Sequence, residues 1–286
     1  MSLSARVPST AATNLFVPSL YLNQVIEAAK SDLVNLAAVN NEWVSGAKMG
    51  NVFYLPKTNT VTATEVVIGT KGTSLNHLNT TGVTVTMNQF YEAPIDIDTM
   101  TSTQTQVQRE MFAKTESAYA IQVAIDLYIS SLYSTLNSSS VKGADGSAIT
   151  DDLLIDLMEL LDEANAKRDG GRSLILDPSG VADMMKFDKF VANMYVAIGA
   201  VANGVIGNNH PIYGCTVRVT NNLTATTTGN YCVMMHKDAI AAKVQIQNAW
   251  VKEFEELHEI RYSVDALYGA SEAQDAFGIP FYSRKA

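Results

Sequence analysis

Between Ile95 and Lys142 the chain carries neither glycine nor proline. Within that stretch Val107, Met111, Ala118, Ile121, Ile125, Tyr128 and Leu132 recur at spacings of 4, 7, 3, 4, 3 and 4. Those spacings lay one apolar stripe along a helix. Thr101 or Ser102 can cap its start with a side-chain oxygen. The polar run Asn137-Ser138-Ser139-Ser140 ends it. About 35 helical residues span roughly 50 Å. A broken pair of helices is the alternative, and Lys114 interrupts any coiled-coil seam.

Upstream the pattern is extended from Asn51 to Thr86. Val52-Phe53-Tyr54-Leu55 is a short apolar strand closed by Pro56. Val61 to Ile68 is rich in Val and Thr, and Val83, Val85 and Met87 alternate with Thr84, Thr86 and Asn88. β-Branched residues suit a pleated surface. Gly69 and Gly72 allow a turn at the tip. The pattern predicts a two-stranded arm with too few large apolar residues for its own core, and such ribbons are marginal in water. Either the arm lies on another surface, which includes that of another subunit, or it folds back on its own domain.

Met1 to Pro18 is small, polar and aperiodic, which predicts a mobile arm. Leu22, Val25, Ile26, Ala29, Leu33 and Leu36 fit one helix face, ended by Asn40 and Asn41. Beyond the Gly143–Gly146 loop, Thr150 caps a helix with Asp151 and Asp152 in its first turn and Lys167-Arg168 in its last. Leu153, Leu154, Leu157, Leu160 and Leu161 give its apolar face. Ser173 to Leu176 reads as a buried strand, and Asp177-Pro178 as a helix start. Strands follow at Ile212 to Thr220 and Tyr231 to Met235, then a short helix at His236 to Ala242. A half-buried strand is expected over Ile260 to Ala266. The order is mixed α+β, with no internal repeat.

Composition narrows the function. At 286 residues the chain can bury a full core. Charged residues are only 17%, below the usual ~25%, which suits an exterior covered by neighbours. The net charge of −9 and the lack of a Lys/Arg cluster exclude tight nucleic-acid gripping. No secretory signal or bilayer-spanning run is seen. Cys215 and Cys232 sit in apolar, strand-like settings and read as buried free thiols.

No chemistry assembles. His77, His210, His236 and His258 have no metal-ligand spacing, and His236 reads as a helix-start or surface residue. Nucleophile-elbow and phosphate-loop patterns are missing. Asp96 and Asp98 are read as favouring the long helix's N-terminus or facing solvent. Glu253, Glu255, Glu256 and Glu259 read as a solvated face. The expectation is no enzyme, no cofactor and no metal.

Several pieces then line up in order. Phe16-Val17-Pro18 precedes the first helix, and Gly50 to Pro56 opens the arm. The long helix follows, then Arg172 to Pro178, Gly204-Val205-Ile206-Gly207, Ile212 to Val219, Asn230 to Ala241 and Arg261 to Gly269. In order and spacing they resemble the major capsid proteins of tailed bacteriophages, which share the HK97-type fold, and are most similar to the P22 coat-protein variety. The resemblance implies an N-terminal arm and helix at 1–50 and an extended β-hairpin E-loop at 51–95. It implies a P-domain with a long spine helix at 96–169 and 243–286, and an A-domain at 170–242.

The family forms pentamers and hexamers that close into an icosahedral shell around double-stranded DNA, without reading its sequence. The expected partners are copies of the chain itself, a separate scaffolding protein, a portal and a decoration protein. A separate scaffold is expected because only about 18 residues precede the first helix, a spacing that suits no built-in scaffolding segment. The expected location is the virion, assembled in the host cytoplasm. Phe16, Lys57, Glu65 and Lys71 are the candidate inter-subunit contacts. Lys57 and Lys71 are available for an arm crosslink, but no matching asparagine and acid can be placed, so none is expected. The alternative is an encapsulin-like protein nanocompartment; an enzyme is the remote third.

Overall fold

The computed structural model describes residues 30, 33–43, 51–58, 60–69, 79–98, 109–137, 140–187, 201–202, 205–206 and 211–285. The N-terminal helix face is described only at its end. There α1, Asn35–Ala38, is a single turn. The chain then leaves helical geometry at Val39, and Asn40 bridges to Ala241. Lys30, Leu33 and Val34, expected within that helix, are described and are not helical; residues 1–29, 31 and 32 and the expected cap at Thr101 or Ser102 lie outside the described residues.

The long helix α2 is Arg109–Ser131. A 3-10 turn at Tyr133–Thr135 tightens its end, and Asn137 takes a left-handed φ of 52°. Its buried line repeats every four residues through Ala113, Ser117, Ile121, Ile125, Ile129 and Tyr133. Ile121 and Ile125 sit where the periodicity put them, but Met111 lies off this line and is 57% exposed. The stripe was misplaced at that end because Ser117 shares the buried line, and a hydrophobicity count passes over it.

The glycine-free stretch does not open as helix. Its first residues belong to a strand that the pattern did not reveal, Gln89–Asp98 (β3). Before it lie β1, Val52–Thr58, and β2, Thr80–Thr86, paired antiparallel from Val52↔Thr86 to Thr58↔Thr80. β3 pairs with a second long strand, Glu259–Glu272, which in turn pairs with Ile240–Phe254. These form an antiparallel three-stranded sheet. α2 lies across it, with Ala113 packed on Ile97 and Tyr262.

A five-stranded sheet carries the main core. Its order places the last strand, Gly278–Arg284, beside Gly229–His236, then Arg172–Leu176 (β4), Cys215–Val219 and Pro211–Ile212. β4 is buried along its whole length and pairs in parallel with Cys215–Val219. A continuous apolar run is what a strand covered on both faces requires. The other pairings in this sheet are antiparallel. Tyr213 and Gly214, with φ of 51° and 73°, make the tight turn into Cys215–Val219.

Helices α3, Asp151–Glu163, and α4, Pro178–Met184, flank this sheet. Thr150 caps α3 through Leu153 N, and Asp177 caps α4 through Gly180 N. Leu154, Leu157 and Leu161 are buried as their spacing requires. Lys167 and Arg168 are not in the last turn of α3. The helix stops at Glu163 because Asn165 turns left-handed at φ 59°. Arg168 reaches back to Asp162 from beyond the helix. Arg172, 2% exposed, donates to the carbonyls of Ala166 and Lys167 and to Asp162 Oδ1 at 2.7 Å. Its guanidinium thus satisfies the orphan acceptors that follow the helix.

The expected helix at His236 to Ala242 is a single 3-10 turn, Lys237–Ala239. The chain then enters Ile240–Phe254, a 15-residue strand. Asp96 and Asp98 are likewise strand residues, not helix-terminal ones.

Candidate assembly surface

The arm is rooted by few contacts. Phe53, Leu55 and Val85 turn inward and pack on Ala241 and Ala273. Met87 N donates to Asn51 O at 2.8 Å, closing the base. Where the arm leaves the body, the Thr86–Met87 backbone crosses directly over Gly269. A side chain at that position would collide with it.

Beyond the root, residues 56–58, 60–69 and 79–82 are exposed. Tyr54 is 74% exposed, Val67 72% and Ile68 100%. Burying each such side chain is worth about 1.5–3 kcal/mol. A two-stranded ribbon cannot supply that cover itself, so this surface gains most when another surface meets it. At the root an open groove of about 300 Å³ is lined by Trp43, Leu55, Pro56, Lys57, Val83 and Gln274.

The three-stranded sheet ends in an acidic hairpin. Residues 255–258 form its turn, with His258 at φ 53° and Leu257 61% exposed. The acidic run is thus solvated, as its composition implied. One face of the sheet is tied by side chains. Arg261 donates to both oxygens of Asp96 at 2.6 and 2.7 Å. This pair holds the Asp96 carboxyl below its ordinary range. The Arg261 guanidinium also lies 4.8 Å from the Phe254 ring centre, and Trp250 Nε1 donates to Asp265 at 3.0 Å.

Two buried polar groupings escaped the sequence. Asp126, 1% exposed in the middle of α2, accepts from Asn35 N at 2.8 Å and Asn222 Nδ2 at 3.3 Å. Asn35 Nδ2 adds a bond at 3.2 Å. Burial raises the Asp126 pKa, while these donors oppose the rise. The group ties α1 and the Asn222 loop to the long helix. The only sequence sign was a carboxylate beside Ile125 on an apolar stripe.

His236 is fully buried, against its reading as a surface residue. It does start a helical turn, since Nδ1 accepts from Asp238 N at 3.2 Å. Nε2 lies 3.0 Å from Asp169 Oδ1, and that hydrogen bond lowers Asp169 to about 2. The couple joins the loop before β4 to the turn after Gly229–His236. The two thiols are buried and free, pushed up by desolvation to about 11 at Cys215 and about 12 at Cys232. Thiols so shifted are poor nucleophiles. Among the described residues no group of three or more His, Cys, Asp or Glu could hold a metal, and no helix is long and apolar enough to cross a membrane.

Of the candidate contacts, Lys57 and Glu65 are exposed on the arm. Phe16 and Lys71 lie outside the described residues.

No family model and no curated protein matches the sequence. Solved structures do. A chain from Mycobacterium phage Che8 superposes with a TM-score of 0.77 at 22% identity, covering 94% of this chain and 98% of that one. A chain of the cyanophage P-SCSP1u capsid gives 0.72 at 13% identity, with 95% and 94% covered. The head structure of Helicobacter pylori bacteriophage KHP40 gives 0.70 at 12%, with 99% of each chain covered. The chain has the α+β, HK97-like fold of phage capsid subunits. The matches cover nearly all of each chain.

Proposed function

We propose that this chain is a major capsid protein. Copies assemble as pentamers and hexamers of an icosahedral shell that encloses double-stranded DNA. The observation that carries this reading is the end-to-end fold match to chains of phage capsids and heads. An arm that leaves Tyr54, Val67 and Ile68 in solvent supports it independently. The acidic chain encloses DNA without gripping it, because binding phosphates requires clustered Lys and Arg. Scaffold, portal and decoration proteins are its further partners in this reading, and the virion is its location.

Cryo-electron microscopy of the native particle tests it, with nuclease protection on the same sample. A large icosahedral shell holding nuclease-resistant DNA is expected. A small shell filled with protein would overturn it in favour of an encapsulin-like compartment.

A further inference from the structure

We propose that His236 is a proton-operated clasp for the segment around Asn40: protonation turns the Asp238 carboxylate toward the imidazole and loosens the turn that carries Trp43. The hydrogen bonds fix the starting state. His236 Nδ1 accepts from Asp238 N at 3.2 Å. In the neutral ring the proton therefore sits on Nε2, which donates to Asp169 Oδ1 at 3.0 Å. A second proton can enter only at Nδ1. There it deprives Asp238 N of its acceptor and faces Asp238 Oδ2, 3.5 Å away. A charged donor bonds a carboxylate about twice as strongly as a neutral one. Closing that gap rotates the carboxylate that Asn40 Nδ2 holds by the other oxygen, Oδ1, at 2.7 Å.

Asn40 carries the change onward. Its backbone N donates to Ile240 O and its carbonyl accepts from Ala242 N, each at 3.0 Å. Its Oδ1 accepts from Glu42 N at 3.0 Å and Trp43 N at 3.3 Å. One side-chain amide thus joins Asp238 to the turn at Trp43, which lines the groove at the arm root. His236 is fully buried, so neighbouring groups rather than water must meet its added charge. Asp169 faces Nε2 from the loop before β4, and Asp238 faces Nδ1 from the turn that also carries the exposed Lys237. Arg172, opposite His236 in the β4 pairing, directs its guanidinium to Asp162 and to the carbonyls of Ala166 and Lys167. The Asp275–Phe277 turn sets the Phe277 ring perpendicular to the imidazole, 6.0 Å between centres, and carries Asp275. The Asn40 segment adds the exposed Glu42.

Trp43 reports the clasp. In the full chain, Trp250→Phe leaves it as the single tryptophan. Its emission is followed from about pH 8 to 5, the range in which imidazoles change charge. A reversible red shift on acidification is expected as Trp43 gains water. Adding His236→Asn should abolish the step. Adding Asn40→Ala should also abolish it, with Trp43 in its loosened setting at every pH. No step in the Trp250→Phe chain, or a step that survives either further change, would overturn the proposal. If His236→Asn does not fold, the nitrogen shifts of labelled histidine in the Trp250→Phe chain replace it. A buried ring that keeps its Nε2–H tautomer through the step would overturn the clasp, and one that gains its Nδ1 proton with the step would support it.

Discussion

At the scale of single residues, the fold depends on polar groups that apolar patterns do not reveal. Asp126 answers buried donors on Asn35 and Asn222. Removing an acceptor leaves such donors with neither water nor partner, at about 1–3 kcal/mol each. Asp126→Leu is therefore expected to lose about 3 kcal/mol by that accounting, read as a lowered urea midpoint of the unassembled chain. Asn35→Ala combined with it should cost little more, because both changes remove the same bonds. Asp169 behaves differently. Its folded pKa, about 2, lies below the ordinary 3.8. Its contribution is thus present above 3.8 and is lost as pH falls through about 2. Asp169→Asn should be less stable than the wild type near neutral pH, with the gap closing on acidification toward about pH 2. A gap that stayed constant with pH would mean that Asp169 acts only by packing.

At the scale of elements, the arm root is a crossing of two backbones. Gly269 leaves the space through which Thr86 and Met87 pass over the three-stranded sheet. Gly269→Ala is expected to cost about 1–3 kcal/mol, the usual range for overpacking. The same unfolding measurement checks it, with Gly170→Ala as a contrast. Gly170 meets no neighbour but has a φ of 82°, so its cost comes from backbone strain alone. Hydrogen exchange should separate the elements. Amides of β1 and β2 are expected to exchange quickly in the unassembled chain and slowly in the particle, while β4 is slow in both. Equal protection of the arm in both states would mean that it needs no neighbour.

The elements most legible in the sequence were those whose signal is local. Thr150 and Asp177 cap helices where they were read, and Ser173 to Leu176 is the buried strand expected. Long-range choices were not legible. Gln89–Asp98 carries three acids and a proline in ten residues, which argues weakly for any element. It becomes a strand because Arg261 and Ser263 answer Asp96 and Glu92 across the sheet. Ile240–Phe254 was hidden for the same reason, since its partner lies across a hairpin. The arm was visible by composition, but the groove at its root joins Trp43, Leu55 and Gln274 from distant parts of the chain.

At the scale of the whole molecule, charge opposes assembly and burial favours it. Each copy carries −9, and much of that sits at the hairpin end with Glu253, Glu255, Glu256 and Glu259. Like charges repel within about a Debye length, roughly 30 Å at 0.01 M salt and 8 Å at 0.15 M. Apolar burial at the arm is insensitive to such screening. Raising sodium chloride over that range should therefore lower the protein concentration at which shells form, as followed by light scattering. Glu255→Gln with Glu256→Gln should give the same gain at low salt and almost none at high salt, because screening has already removed the repulsion. The opposite slope, assembly weakening as salt rises, would mean that attractive ion pairs dominate the contacts. The apolar arm would then have the lesser part in holding copies together.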